Sequence, residues 1–205
     1  MLTFKKKFAA AFLFLLFFSI TYSIVARLPR YAAIDLTTPI DNALPLISWF
    51  MLFYLLAYII PLAAFLAAET KQELKLILKT FILMLLVASI IFLAFPVAIQ
   101  HQEITTTDVF SRMLIFLRRQ LDNQWNAFPS FHVASAFLTS LIIREKKSKY
   151  SIPIFIIAFL IIISTLFTKQ HLILDVLAGL ILATGFYFYY LYSLKKSKRV
   201  SSTFQ

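Results

Sequence analysis

The stretch Asn126-Ala127-Phe128-Pro129-Ser130-Phe131-His132 lies where a polar segment meets the apolar run 128–143. Pro129 suits the first turn of a helix, because the N–H that it lacks would have no partner there. The free N–H groups of such a turn and the helix dipole favour a bound anion, and Ser130 adds a hydroxyl donor. The stretch therefore predicts a membrane helix whose first turn binds an anion and carries His132 at the edge of the bilayer.

A histidine also stands at the start of an apolar run in a second stretch, Thr168-Lys169-Gln170-His171-Leu172-Ile173-Leu174-Asp175. His171 and Asp175 are four residues apart, so on a helix they share one face. A carboxylate beside a histidine fixes its tautomer and stabilises its charged form. A carboxylate about one turn inside a membrane helix indicates a functional role. The alternative is that the charge of Asp175 is merely satisfied by His171 or a neighbouring hydroxyl.

The composition around these stretches is that of an integral membrane protein. Hydrophobic residues make up 61% of the 205 residues and charged residues 14%, against roughly 25% charged residues in soluble domains. Several apolar runs reach the roughly 18–20 residues that cross a bilayer. We therefore predict an all-α fold, a six-transmembrane-helix bundle forming one domain over residues 1–205. The predicted spans are 8–26, 45–68, 76–99, 128–143, 151–168 and 171–193.

The first of these runs has an alternative interpretation as a cleaved signal peptide. Its apolar residues, 8–26, exceed the roughly 7–15 residues of a signal-peptide core. We therefore expect it to be a retained helix.

Residue usage excludes several functional classes. The chain has no cysteine, which excludes disulfides, thiol nucleophiles and cysteine-ligated metals. Its two glycines, Gly179 and Gly185, are too few for a glycine-rich phosphate loop. The net charge of +11 would suggest nucleic acid in a soluble protein. Because the basic residues lie at the ends of apolar runs, we expect anionic membrane lipids as partners and no nucleic acid.

The distribution of basic residues predicts which way the bundle faces. Six spans put both termini on one side, and 14 of the 20 Lys and Arg residues then lie on that side. The other six are Arg27, Arg30, Arg112, Arg118, Arg119 and Lys169. By the positive-inside rule both termini are cytoplasmic. Both histidine stretches then lie on the extracytoplasmic face of the cell membrane.

Two histidines, a carboxylate, a serine and a cation at one membrane face fit phosphoryl transfer. One histidine attacks phosphorus and the other protonates the leaving alkoxide, while cations and N–H groups stabilise the charge on oxygen. Lys169 either neutralises the phosphate or anchors the chain among lipids. The same choice holds for the arginines of 109–121, which has the pattern of an amphipathic interfacial helix.

A rival interpretation of the same residues is a zinc site formed by His132, His171 and Asp175, since two histidines and a carboxylate can hold zinc. The basic residues nearby oppose this reading, because they would repel a cation.

These residues resemble the signatures of the type-2 phosphatidic acid phosphatase superfamily. The first stretch is similar to its second signature, Pro-Ser-Gly-His. Ser164 together with His171-x-x-x-Asp175 is similar to its third signature, Ser-Arg-x5-His-x3-Asp. The six-span layout is similar too, so the resemblance covers nearly the whole chain.

The resemblance implies a lipid phosphatase or lipid phosphotransferase that acts on a phosphate, phosphodiester or diphosphate head group. It implies that His171 is the nucleophile, that His132 is the acid for the leaving group and that Asp175 orients His171, with no metal and no cofactor. The residues expected to bind the substrate phosphate are Ser130, Lys169, Asn126 and Arg119.

The chain also departs from the signatures. Phe131 replaces the glycine of the second signature, and Thr165 replaces the arginine of the third, so that Lys169 is expected to supply the missing charge. The first signature, Lys-x6-Arg-Pro, is not present. Arg112 and Arg119 have its spacing, but glutamine follows, and we treat the match as accidental.

Two alternatives therefore stay open. The residues that flank the two histidines are closer to those of the inositol phosphotransferase and sphingolipid synthase branch. Transfer of the phosphoryl group to an alcohol is therefore an alternative to its transfer to water. The missing first signature favours a non-catalytic relative, such as a lipid carrier or scaffold.

The predicted sidedness is tested with a reporter that is active only outside the cytoplasm. Fused after Glu103 the reporter is expected to be active, and fused after Lys198 it is expected to be silent. The reverse pattern would put the histidines at the cytoplasmic face.

Overall fold

The computed structural model describes residues 2–28, 33–99, 103–105, 108–120 and 125–203. The α-helices of this part of the chain are α1 (Phe4–Arg27), α2 (Pro39–Ala43), α3 (Met51–Leu55), α4 (Pro61–Leu66), α5 (Lys71–Ala94), α6 (Val109–Gln120), α7 (Phe131–Glu145), α8 (Ser151–Phe167) and α9 (Ile173–Thr203). Extended pairing within these residues is confined to an isolated bridge between Ile34 and Val97. The predicted all-α class is confirmed.

Within the described residues, four helical segments are long and apolar enough to cross a membrane: Phe4–Arg27, Ser48–Leu66, Lys71–Ala94 and Ile173–Ser197. This confirms a membrane protein. Helix α7 has 15 residues and the apolar helix α8 has 17, so both are shorter than the roughly 20 residues of an average span. The bundle of six crossing helices therefore stays a prediction.

Helix α7 lies at the centre of the bundle. It packs against both α8 and α9, and 11 of its 15 side chains are buried. Helix α5 packs against α1 and α9, which closes a core that contains Phe14, Phe65 and Phe81. A short helix enclosed by longer ones holds its residues away from lipid, and His132 is among them.

The second predicted span, 45–68, is broken into short helical pieces. A 3₁₀ turn over Ser48–Phe50 leads into α3, and a second one over Leu56–Tyr58 precedes α4. Pro61 is the first residue of α4, because proline has no N–H and its ring clashes with the carbonyl four residues before it. The break places Tyr54 and Tyr58 against the ring of His132.

Two helices begin later than the sequence predicted. Ser130 is the N-cap of α7, and its Oγ accepts a hydrogen bond of 3.3 Å from Val133 N. The prediction that Pro129 occupies the first helical turn is therefore wrong. Helix α9 begins at Ile173, so His171 lies in the preceding connector. At α7 the polar cap Ser130 sets the start of the helix, where the sequence alone showed only the edge of an apolar run.

Helix α5 begins and ends earlier than its predicted span, 76–99. It begins at Lys71, five residues before the predicted start, because Thr70 caps it by accepting a hydrogen bond of 3.1 Å from Glu73 N. It ends at Ala94, shortly before Pro96, since a residue that precedes proline avoids the helical conformation.

The start of α7 is fastened directly to α9. Ser130 N donates a hydrogen bond of 3.0 Å to the carbonyl oxygen of Asp175. One turn further along α9, a Cβ on Gly179 would lie 2.6 Å from the Ser130 carbonyl oxygen and 3.2 Å from Val133 Cβ. Glycine is thus required for this close approach of the two helices.

We expect Gly179→Ala to lower the thermal unfolding midpoint of the detergent-purified protein. The added methyl group would displace the backbone of Ser130, and overpacking of this kind costs about 1–3 kcal/mol. Gly185→Ala is the matched control, because a Cβ there meets no atom within 4 Å. Equal effects of the two substitutions would contradict the close approach as the cause.

Candidate active site

The two histidines named by the sequence lie side by side. Nδ1 of His132 is 3.3 Å from Nε2 of His171, and both side chains are buried. His132 is the second residue of α7, and His171 lies two residues before α9. The contact between the starts of these two helices brings them together.

The tautomer of His171 follows from its backbone partner. Nδ1 of His171 lies 3.1 Å from the carbonyl oxygen of Ala127. A carbonyl oxygen only accepts, so Nδ1 carries the hydrogen, and Nε2 of the neutral ring carries the lone pair. The lone pair therefore points towards His132.

Asp175 is fully buried beside His171. Its Oδ2 accepts a hydrogen bond of 2.8 Å from Leu172 N and lies 3.6 Å from Nδ1 of His171. The latter distance exceeds that of an N–H···O hydrogen bond, about 2.7–3.2 Å. The carboxylate thus acts on His171 through its charge. Its Oδ1 has no hydrogen-bond partner among the described residues, so a positive charge on the imidazole would offset a costly buried anion.

His132 has an aromatic surrounding. The hydroxyl of Tyr54 lies 3.3 Å from each of its ring nitrogens. The ring of Tyr58 packs edge-on against it at a centroid distance of 5.2 Å. Sequence reasoning missed both tyrosines, although two polar-tipped residues four apart inside an apolar run are a detectable signal.

Lys169 faces the same region as His171. It is buried, its φ of 54° lies in the left-handed region, and its ammonium donates a hydrogen bond to the carbonyl oxygen of Asp41. Burial lowers the pKa of Lys169, and the charge of Asp41 opposes this by raising it. The lysine is thus held by the protein and is not an anchor among lipids.

Asp41 was also missed by sequence reasoning. Its Oδ1 accepts a hydrogen bond of 2.8 Å from Ile173 N, the first residue of α9. Its Oδ2 accepts from the backbone and hydroxyl of Thr38, at 2.9 and 2.6 Å. The pattern Thr38-Pro39-x-Asp41 is a capping box that the sequence displays, but the contact with α9 spans 132 residues.

The other candidate phosphate ligands lie in different places. Ser130 is fully buried at the cap of α7, and the amide of Asn126 donates a hydrogen bond of 3.2 Å to Tyr22 O of α1. Arg119 is exposed on α6, and none of the described hydrogen bonds or ion pairs joins it to the histidines. Its neighbour Arg118 instead donates a hydrogen bond of 2.9 Å to Thr168 O.

A polar cavity of about 410 Å³ opens beside His171. Its polar side chains come from the connector before α2, from α2 and from the turn before α9. They are Asp35, Thr37, Asp41, Asn42, Lys169 and His171. Hydrogen bonds from Thr37 hold the pKa of Asp35 below its ordinary value. The cavity thus brings the Asp35 carboxylate and Lys169 to the same space as the His171 ring.

The zinc alternative can be compared with the side-chain arrangement. Within the described residues, no group of three or more His, Asp or Glu side chains has an arrangement that could hold a metal ion. The histidines present Nδ1 of one ring to Nε2 of the other across 3.3 Å, which is the geometry of a hydrogen-bonded pair.

Together these features define a class: helical membrane proteins with a buried histidine pair and a carboxylate at one end of the bundle. The family model of the PAP2 superfamily matches residues 23–189, and the chain belongs to this superfamily. Membership indicates a membrane enzyme of the phosphatase or phosphotransferase type. No match was found among curated proteins or among solved structures.

Lys169→Met is expected to raise the KM for a phosphorylated substrate about tenfold or more, since hydrogen bonds to charged groups are worth about 1.5–3 kcal/mol. Lys147→Met is the matched control, because Lys147 is also a lysine in the left-handed region, with φ 49°, but is exposed at the far end of α7. Similar KM values for the two variants, at equal thermal stability, would remove Lys169 from the phosphate site.

Proposed function

We propose that this protein is a membrane lipid phosphatase or lipid phosphotransferase in which His171 is the nucleophile. The observation that carries the proposal is the hydrogen bond from His171 Nδ1 to Ala127 O, which leaves the lone pair of the ring on Nε2, 3.3 Å from Nδ1 of His132. A histidine with its lone pair towards a second, buried histidine suits attack on phosphorus followed by proton transfer.

The reaction proceeds in two steps. Nε2 of His171 attacks phosphorus, the bond from phosphorus to the lipid oxygen breaks, and His132 gives its proton to the departing alkoxide. Water or an alcohol then attacks the phosphohistidine and passes its proton to His132, and the phosphorus–nitrogen bond breaks. The second step restores both histidines, as general acid–base catalysis requires.

The histidine pair must separate when substrate binds. Reacting atoms approach to about 3–3.5 Å before reaction, so a phosphorus atom does not fit between nitrogens that are 3.3 Å apart. His171 is held by a hydrogen bond to Ala127 O and by the charge of Asp175. Besides His171, the polar group that contacts the His132 ring is the Tyr54 hydroxyl. We therefore expect the His132 side chain to move away from His171 when substrate binds, while His171 stays in place.

Lys169 supplies the charge that the phosphoryl oxygens need. It is the only cation that lines the polar cavity among the described residues, and a fixed cation stabilises charge that develops in the transition state. Its Nζ already faces an oxygen acceptor, the Asp41 carbonyl. A phosphoryl oxygen would replace or share that acceptor.

The acceptor of the phosphoryl group is water or an alcohol. The cavity of about 410 Å³ beside His171 has the size of a small-molecule site, roughly 300–1,000 Å³, and thus has room for an acceptor larger than water. With the termini in the cytoplasm, the cavity would open on the extracytoplasmic face of the cell membrane.

A non-catalytic lipid carrier is the second candidate function, and the missing first signature favours it. Purified protein offered a panel of lipid phosphates and diphosphates, with water or polyols as acceptors, separates the two. Turnover of any member supports the enzyme, and binding without turnover across the panel supports the carrier.

The roles of the histidines give the sharpest prediction. His171→Ala is expected to abolish turnover and any phosphoprotein intermediate. His132→Ala is expected to slow lipid substrates about 10²–10⁴-fold, the usual contribution of a positioned proton donor, and aryl phosphates much less, because a phenolate leaves without a proton. Asp175→Asn is expected to fall between these extremes, since it removes the charge and keeps the nucleophile. Rates with both leaving groups and acid-labile phosphate on the protein are the measurements.

Two outcomes would contradict this scheme. Substantial turnover by His171→Ala would do so, because His171 is the proposed nucleophile. Inhibition of the wild type by EDTA that added zinc reverses would instead support the zinc site of His132, His171 and Asp175.

A further inference from the structure

Tyr54 places its hydroxyl against both nitrogens of the His132 ring. The side chain is fully buried on α3, and its hydroxyl oxygen lies 3.3 Å from Nδ1 and 3.3 Å from Nε2 of His132. The two ring planes are tilted by 42°. The two nitrogens of an imidazole direct their hydrogen or lone pair outward in the ring plane, in different directions. A small rotation of the His132 ring therefore decides which nitrogen bonds the hydroxyl.

His171 decides which nitrogen of His132 is left for Tyr54. Nε2 of His171 carries a lone pair, because Nδ1 of that ring donates to Ala127 O. The nitrogen that lies 3.3 Å from this lone pair is Nδ1 of His132, which therefore carries a hydrogen. Nε2 of His132 is then the nitrogen that turns to the Tyr54 hydroxyl. Within the described part of the chain, these two groups are the polar contacts of the His132 ring.

Proton donation by His132 places a demand on its second nitrogen. In the proposed reaction the Nδ1–H bond breaks and an O–H bond forms on the leaving alcohol. A neutral ring would become an anion by losing this proton, so the donating ring is cationic and carries a hydrogen on Nε2 as well. After the transfer the ring is neutral, Nε2 keeps its hydrogen and Nδ1 has the lone pair. That lone pair accepts the proton of water or of an alcohol in the second step.

A tyrosine hydroxyl can bond Nε2 in each of these states. It donates to Nε2 of the resting neutral ring, and it accepts from Nε2–H in the cation and after the transfer. A carbonyl oxygen, such as the one of Ala127 that holds His171, only accepts. The Tyr54 ring also packs against Tyr58 at a centroid distance of 6.2 Å, and α3 packs against α8. A hydroxyl fixed in this way, and close to both nitrogens, can keep its bond to the ring while His132 moves away from His171.

We propose that Tyr54 is a positioning residue for proton transfer, an inference that rests on the proposed phosphoryl transfer. Its hydroxyl bonds Nε2 of His132 and thereby keeps Nδ1 as the nitrogen that gives and takes the proton. Ala127 O and Asp175 orient the His171 ring, so each histidine has its own orienting group, the arrangement typical of an activated nucleophile and its base. Tyr54 touches neither phosphorus nor the leaving oxygen in this scheme and acts through His132.

The test is Tyr54→Phe, which removes the hydroxyl and keeps the ring. Formation of the phosphoprotein is timed by rapid quenching with a lipid phosphate and with an aryl phosphate. We expect the lipid reaction to slow about 10–100-fold, the effect of losing one hydrogen bond to a charged group. The aryl reaction should keep its rate, since a phenolate leaves without a proton. Tyr58→Phe is the matched control, because the Tyr58 ring meets the His132 ring edge-on at 5.2 Å, and the ratio of the two rates should stay at the wild-type value.

A double variant distinguishes positioning from packing. If Tyr54 acts through His132, adding Tyr54→Phe to His132→Ala should change the lipid rate by less than about twofold, because the group that Tyr54 orients is gone. A loss as large as that in the wild-type background would show an independent structural effect and overturn the proposal. An unchanged ratio of lipid to aryl rates in the single variant Tyr54→Phe would overturn it as well.

A measurement without substrate accompanies the kinetics. The ring-nitrogen NMR resonances of His132 are recorded in histidine-labelled, detergent-purified protein and assigned with His132→Gln. We expect the neutral ring to carry its hydrogen on Nδ1. The resonance of the unprotonated Nε2 should shift more in Tyr54→Phe than in Tyr58→Phe, because it loses the hydrogen bond that the Tyr54 hydroxyl donates. A hydrogen on Nε2 of the neutral wild-type ring, or equal shifts in the two variants, would overturn the proposal.

The two measurements separate this inference from the proposed function. A resonance that depends on Tyr54, in a protein that turns over no substrate, would end the proposed function and leave Tyr54 as the group that sets the His132 tautomer. Turnover with an unchanged rate ratio in Tyr54→Phe would end the inference and leave the function. If Tyr54→Phe does not fold, a ring-fluorinated tyrosine at position 54 replaces it. Its hydroxyl is a weaker acceptor, so the lipid rate should again fall relative to the aryl rate, and an unchanged ratio would contradict the proposal.

Discussion

The hydrogen bond from Ser130 N to Asp175 O is the constraint on which the site depends. The two histidines are 39 residues apart in sequence and belong to different elements. A buried amide in a membrane protein must find an internal partner, and this one finds it in the first turn of α9. Gly179 removes the side chain that would hold the helices apart. The contact of the two histidine rings follows from the position of these two helix starts.

Hydrogen bonds at the start of α9 form a second connection between this helix and the candidate site. The first N–H groups of a helix lack partners within the helix. Asp175 satisfies Leu172 N, and Asp41 satisfies Ile173 N. Each carboxylate also serves the site, because Asp175 lies beside the His171 ring and the backbone of Asp41 holds Lys169. The same two residues therefore fix the start of α9 and contact the histidine and the lysine of the candidate site.

The sequence predicted what depends on local pattern. Apolar runs identified the helices, and the spacing of His171 and Asp175 indicated a pair that meets at 3.6 Å. Helix starts were displaced because Ser130 and Thr70 act as caps, a preference readable from residue type but overlooked beside strong apolar runs. The contacts of Tyr54 and Asp41 were out of reach for another reason: their partners lie 78 and 132 residues away, and a local pattern can mark a residue but cannot specify such a distant partner.

The two departures from the superfamily signatures have a physical explanation in the fold. Phe131, at the signature glycine, stacks on Phe18 of α1 at a centroid distance of 5.3 Å. Thr165, at the signature arginine, is fully buried, and its carbonyl oxygen accepts from the N–H groups of Gln170 and His171. A guanidinium there would be buried without a described anionic partner, at high cost. The cation instead sits four residues later, on Lys169, where the left-handed turn directs it to the cavity beside His171.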